Sequence, residues 1–256
     1  MSSLGREEAM RRAFLLGVLM VLGTLASAQP VSANDVTCSS FGGTITGTVN
    51  HNIIVDTNCT VTSTATVNGN LIEPGSTGFS VTVQAGANID GNIDEMGDGS
   101  VSVAVGSGRQ LDGSIKEEDS GNVNLRVQFD GKFKGNVVEK GPGNVQLAAT
   151  SIFLGVLLSG EYDDVITEED AGSVGLTVDA TGKFDGNIGE QGEGNVTVTV
   201  RSGGAFNGNT GEEDSGDLSL TVQPSGDYNG NVKEEDAGTC TVVGSIRGNR
   251  EGGCAP

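Results

Sequence analysis

The sequence predicts an all-β fold, a single-domain parallel β-helix (β-solenoid) of about nine 22-residue coils with disulfide-capped ends. Three observations carry that reading. First, one unit recurs: Gly182-Lys183-Phe184-Asp185-Gly186-Asn187-Ile188, then Glu190, then Gly194-Asn195-Val196-Thr197-Val198-Thr199-Val200. The Gly186 position returns as Gly47, Gly69, Gly91, Gly113, Gly135, Asp164, Gly208 and Gly230, 22 residues apart except for one gap of 29. Second, the later half of each unit alternates strictly, as in Val101-Val103-Val105, Val123-Leu125-Val127, Val174-Leu176-Val178 and Leu218-Leu220-Val222, which is the pattern of a half-buried strand. Third, 4% aromatic residues, no Trp and 42 Gly cannot build one large globular core, so the core is a narrow column of Val, Ile, Leu and occasional Phe made by stacking.

The earlier half of each unit has its own apolar positions. One lies two before the Gly position (Ile45, Val67, Ile89, Leu111, Phe133, Tyr162, Phe184, Phe206, Tyr228). Another lies two after it (Val49, Leu71, Ile93, Ile115, Val137, Ile166, Ile188, Val232), with Thr210 the one break. Each unit thus reads as two strands and two turns. The turn at Gly99, Gly121, Gly143, Gly172, Gly194, Gly216 and Gly238 calls for a positive φ, and the shorter turn is of the Ser202-Gly203-Gly204 type. With one coil per repeat, each strand pairs with its equivalent in the next coil at about 4.8 Å, and the array is a rod of roughly 40 Å. Its two edges need caps against end-to-end pairing. An antiparallel meander of hairpins ranks second, because only like-on-like stacking requires so fixed a phase.

The segments outside the array follow. Residues 1–28 read as an export signal: Arg6, Arg11 and Arg12, then an apolar run from Phe14 to Leu25, then Ala26-Ser27-Ala28. Arg11-Arg12-Ala13-Phe14-Leu15 resembles a twin-arginine motif, although Met10 stands where that motif has a small polar residue. The apolar run is too short for a membrane span and no later segment replaces it, so the expectation is a secreted protein, extracellular, periplasmic or at the cell surface. The expected order is signal 1–28, N-terminal cap 29–41, repeats 42–244 and C-terminal cap 245–256. The four Cys fit the same compartment. Cys38 and Cys59 stand at the front of the array, 21 residues and nearly one repeat apart, and Cys240 and Cys254 at the back, which predicts Cys38 with Cys59 and Cys240 with Cys254. His51 is the one His and no close Cys pair exists, so these are not zinc ligands.

The array resembles the secreted bacterial parallel β-helices, and Gly-x-Phe-x-Gly-Asn-Ile/Val is distantly similar to the units of bactofilins, polymer-forming β-helical scaffold proteins. The resemblance covers Gly42 to about Gly244 and implies self-assembly. The export signal and the disulfides depart from the bactofilin pattern.

Two ladders are candidates for chemistry. Asn follows the Gly position at Asn70, Asn92, Asn136, Asn187, Asn209 and Asn231, where stacked amides bond along the rod. Four residues after the Gly position stands Glu: Glu73, Glu95, Glu117, Glu139, Glu168, Glu190, Glu212 and Glu234. Neighbours in such a column repel by about 1 kcal/mol in water and about 3 to 4 kcal/mol at an effective dielectric of about 20. Splaying into solvent, hydrogen bonding to turn N–H groups, or bound cations would offset this. Glu118-Asp119, Glu169-Asp170 and Glu213-Asp214 add acid on alternate coils, with Met96, Lys140 and Gln191 on the coils between, and Glu235-Asp236 follows on the very next coil. These acids and the column from Glu95 onward are the candidate cation site, with Ca²⁺ the fitting ion, although no cofactor is required and neither an EF-hand loop nor the Gly-Gly-x-Gly-x-Asp repeat is present. Charge avoidance explains the alternation without a metal.

The 29-residue gap holds seven extra residues and an apolar stretch, Ile152, Phe153, Leu154, Gly155, Val156, Leu157 and Leu158, expected to be a partner-binding loop or a cover over a groove. The formal charge of −20, or −21 once three Arg and two Glu leave with residues 1–28, disfavours nucleic acid and anionic lipid. The expected function is non-enzymatic: a structural or interaction protein presenting the Glu column as an acidic repetitive surface, a matrix or cell-surface scaffold or adhesin, Ca²⁺-linked in one version. Its partners would be an extracellular protein, a polysaccharide or another copy. The first alternative is a polysaccharide-active β-helix enzyme, against which stand the missing Trp and the scatter of Arg109, Arg126 and Arg201. The second is ice binding through Ser80 and Thr82, Thr197 and Thr199, or Ser219 and Thr221, an array interrupted by Arg126, Gln146 and Gly175.

Overall fold

A computed structural model describes residues 35–75, 78–106, 108–128, 131–150 and 161–254. Residues 1–28, and with them the expected export signal, lie outside the described residues. Among the described residues the chain is all-β but for one short 3-10 turn, and every strand pair is parallel, as stacking of coils requires. Each coil has three strands rather than two. A typical coil runs Gln110–Asp112, Ile115–Glu118 and Val123–Gln128. The first two belong to one 18-stranded sheet bent at the Gly-Asn corner, and the third belongs to a separate 10-stranded sheet. We call the three sides the Phe face, the Glu face and the Val face. In Glu161–Glu168 and Lys183–Glu190 the first two strands run on as one, which is the longer strand that the apolar positions predict.

The corner has a steric cause. Gly113 has φ 153°, and a Cβ there would lie 2.2 Å from the carbonyl oxygen of Gly91 in the coil before. The other turn, at Gly99 to Gly238, needs glycine for a different reason from the one its sequence suggests. None of those residues is among the described glycines with positive φ. Their backbones pack directly on the turn beneath, and a Cβ on Gly194 would sit 1.4 Å from the carbonyl oxygen of Gly172.

Like stacks on like throughout the middle coils. Val101, Val123, Val145, Val174, Val196 and Leu218 follow one another in register on the Val face. On the Phe face Phe133, Tyr162, Phe184, Phe206 and Tyr228 form a continuous ring stack, with centroids 5.1, 4.8, 4.7 and 4.6 Å apart. These columns are the core, and most of their members are no more than 2% exposed.

The 29-residue repeat keeps this register. Gln128 pairs with Thr150 and Lys132 with Glu161, so residues 129–131 of one coil correspond to 151–160 of the next. The seven extra residues therefore fall in sequence between the strand that ends at Thr150 and the strand that begins at Glu161. Ile152, Phe153, Leu154, Val156, Leu157 and Leu158 themselves lie outside the described residues.

The first unit departs from the sequence alignment. Val49 pairs with Val67 and Ile45 with Val61, so Ile45 belongs to the Val face and the first corner is at His51, not Gly47. The coincidence of Gly47 with the 22-residue period hid a shorter coil. From Ile53 to Leu71, and from Val232 to Arg250, the step is 18 residues. Stacking also reaches into the expected caps, since Val36 pairs with Ile53 in front and Arg250–Gly252 pairs behind.

The disulfides close these short end coils as expected, Cys38 with Cys59 and Cys240 with Cys254. The first joins two faces rather than two rungs of one column: Cys38 continues the strand that precedes Ile53, whereas Cys59 opens the Val face. Replacing Cys38 and Cys59 together with Ala is expected to cost about 3 kcal/mol, since the link closes a loop of 21 residues. A urea titration of the double variant against the parent checks this.

Candidate functional site, a buried carboxyl column

The Glu face follows the alternation of any strand. In Ile93–Glu95 the first residue is buried, Asp94 is half-buried and Glu95 is buried again. The same order repeats in Ile115–Glu118, Val137–Lys140 and Val232–Glu234. Glu73, Glu95, Glu117, Glu139, Glu168, Glu190, Glu212 and Glu234 therefore form one internal column, each at most 1% exposed. Register places Glu on Glu from coil to coil. The column ends against Val55 and Cys38 at the front and Gly252 at the back. A solvated row of splayed charges is thereby overturned: the glutamates share the parity of the Ile and Val two residues before them.

The turn that follows each glutamate folds back over it and offers N–H groups. Oε1 of Glu117 accepts from Gly121 N at 2.9 Å, and Oε1 of Glu190 accepts from Gly194 N at 3.2 Å. Oε1 of Glu212 accepts from both Asp214 and Gly216, at 2.9 and 3.1 Å. This is the turn hydrogen bonding that the sequence offered as one solution. Oε2 of Glu95, Glu117, Glu139, Glu168, Glu190 and Glu212 is buried without a donor. Adjacent carboxyls of the middle coils lie within hydrogen-bonding reach of one another. Burial, followed by the neighbouring carboxyls, pushes Glu95 up to about 8, Glu139 to about 10 and Glu190 to about 9. Burial also raises Glu117 and Glu212.

The acids that follow in sequence do not join the column. Glu118, Glu169, Glu213 and Glu235 are half-buried on the outer side, and Asp119, Asp170, Asp214 and Asp236 are exposed in the turn. A Glu-Glu-Asp run thus splits between inside and outside instead of converging as one ligand set. Among the described residues, no group of three or more His, Cys, Asp or Glu is arranged to hold a metal ion. The outer acids meet cations of the protein. Lys140 lies opposite Glu118 in register and pairs with Glu169 at 2.8 Å, while Lys116 pairs with Glu118 and Lys233 with Glu235. Lys140 thus alternates in charge with Glu118 and Glu169 on the coils to either side.

The corner amides bond along the solenoid as expected: Asn92 N donates to Asn70 Oδ1 at 2.8 Å, and Asn209 N donates to Asn187 Oδ1 at 3.0 Å. A second ladder was not read from the sequence. It runs at the entry to the Val face, where Asn122 N donates to Ser100 Oγ, Asn144 N to Asn122 Oδ1, Ser173 N to Asn144 Oδ1 and Asn195 N to Ser173 Oγ. Its signal was a small polar residue immediately before the first Val of each alternating strand. The outer side of the Val face carries a shallow trough of about 580 Å³ where Gly175 interrupts the row of side chains, lined by Asn124, Arg126, Gln146, Thr177 and Thr197. The three residues that break the Ser/Thr array thus stand together around one depression.

Among the described residues, no helix is long and apolar enough to cross a membrane. No protein-family model matches the chain, and neither a curated protein nor a solved structure matches it, so what is established is the architecture, a parallel β-solenoid of stacked coils.

Proposed function

We propose that the chain is a secreted, non-enzymatic structural or interaction protein, a scaffold or adhesin of an extracellular matrix or cell surface. The observation that carries this reading is how the repeated polar residues are used. Corner amides and entry hydroxyls bond from coil to coil, and turn N–H groups bond the glutamate of their own coil, which makes a stiff column with long, regular outer faces. Two disulfides on the end coils support an oxidising compartment. The likeness of the Gly-Asn units to bactofilins supports self-association as one mode of use. The trough beside Arg126 favours a second reading, recognition or cleavage of an anionic polysaccharide, because no Asp or Glu is among the described residues that line it, on a chain of formal charge −20.

Sedimentation of the protein with and without millimolar Ca²⁺, and then with a polyuronate, tests the proposal. Larger species that form with Ca²⁺ and disperse with EDTA support a cation-linked scaffold, and co-sedimentation with the intact polymer supports an adhesin. Shortening of the polyuronate overturns the non-enzymatic reading.

A further inference from the structure

We propose that the internal column is a proton-binding site: in the folded solenoid about every second glutamate is a carboxylic acid that passes its O–H to the carboxyl of an adjacent coil, so that folding takes up protons. The geometry leads there directly. An ionised carboxylate offers only acceptors, so two carboxyls within hydrogen-bonding reach can bond only when one of them carries a hydrogen. The turn N–H groups satisfy one oxygen of each of Glu95, Glu117, Glu139, Glu168, Glu190 and Glu212 and leave the other buried without a donor. One proton for each two adjacent carboxyls supplies a donor between them, and with it the repulsion between like charges at strand spacing is relieved.

Among the described residues, no buried cation balances the charge. The buried polar side chains of the described residues are these glutamates and Thr210, and no Lys, Arg or His is among them. The Val face contributes Val and Leu. The Phe face contributes apolar side chains and two phenols. Tyr228 donates to Thr210 Oγ1 at 2.9 Å, and Tyr162 lies 3.4 Å from Gly135 O. In the turn, Asp119 adds negative charge beside Glu117, which favours the protonated form further. Glu73 and Glu234 do the same for Glu95 and Glu212. Asp94, Lys116, Glu118, Glu213 and Lys233 sit on the outer side of the same strands, where each position is half-buried.

The direction of the pH dependence follows. Glutamate in an unfolded chain ionises near about 4.3. A glutamate held protonated by the fold therefore adds stability that is complete below that value. This stability is lost as the pH rises through the folded values, from about 8 at Glu95 to about 10 at Glu139. The solenoid is most stable in mild acid and unfolds in alkali.

Refolding of the full chain from urea at pH 7, followed in a pH-stat, is expected to consume about three to five protons per chain. The infrared C=O stretch of a protonated carboxylic acid is expected to persist in the folded protein at pH 7. Glu139→Gln keeps the shape and the donor but cannot ionise. It is expected to raise the pH of half-unfolding in alkali and to lower the proton uptake by about one. Should this variant not fold, the wild-type uptake and infrared band decide by themselves. Absence of both overturns the proposal. So does binding of Ca²⁺ by the folded chain at pH 7 without proton uptake on refolding, since metal ions would then neutralise the column.

Discussion

Gly194→Ala is expected to abolish stacking of its coil, at a cost of at least about 4 kcal/mol. The added Cβ would meet the Gly172 carbonyl oxygen at 1.4 Å and its carbon at 2.5 Å. Those are backbone atoms, so no rotamer change relieves the contact, and the coils must separate along strands Val174–Val178 and Val196–Val200, whose pairing holds them together. The turn N–H that Glu190 accepts is displaced at the same time. Gly189→Ala is the matching control. It lies in the neighbouring strand Lys183–Glu190 with nothing within 4 Å of its added Cβ, and should change stability by no more than about 0.5 kcal/mol. Urea titrations of the two variants, followed by circular dichroism, check the contrast; equal effects would mean that the close approach of turns does not control stacking.

Phe184→Ala is expected to destabilise by about 3 to 5 kcal/mol. The ring is fully buried between Tyr162 and Phe206, tilted by 9° and 17° to them, so truncation removes two stacking contacts and leaves a cavity inside a narrow column. Collapse cannot fill it, because the strands on either side are fixed by register with both neighbours. Phe184→Tyr should cost little, since the Tyr162 and Tyr228 hydroxyls reach backbone carbonyls of Val165 and Asn231, each three residues ahead, and a Tyr at 184 would have the equivalent carbonyl before it. The urea midpoint and the near-ultraviolet dichroism of the stacked rings report both variants.

These elements also show how far the chain can be read without coordinates. The Val face was fully legible, since period-two apolar residues leave one choice of buried side. The Glu column was legible as a period but was given the wrong side, because a charged side chain argued for solvent more loudly than parity argued for the core. Ile93, Asp94 and Glu95 contained the answer: the residue two after a buried Ile in a strand faces the same way. The turn glycines were located correctly and explained by φ, whereas the cause is the distance to the coil beneath, a contact between residues 22 apart that local sequence does not express. The short front coil was hidden by one accidental glycine at position 47. The trough at Gly175 was visible only as a flaw in a Thr array, since a depression belongs to three coils at once.

The two closed end coils govern how such a stack comes apart in time. A column whose parts touch only their neighbours has two routes to disassembly, peeling from an end or rupture in the interior. Peeling normally dominates, because a terminal coil has one neighbour instead of two. Here the terminal coils are tied by Cys38 to Cys59 and by Cys240 to Cys254, so the cheap route is closed at both ends and the lifetime is set by the interior. A reducing agent opens the cheap route again, and amide exchange should then advance inward from both tips coil by coil. Persistence in an oxidising medium, and orderly dismantling once electrons are supplied, are two behaviours of the same pair of bonds.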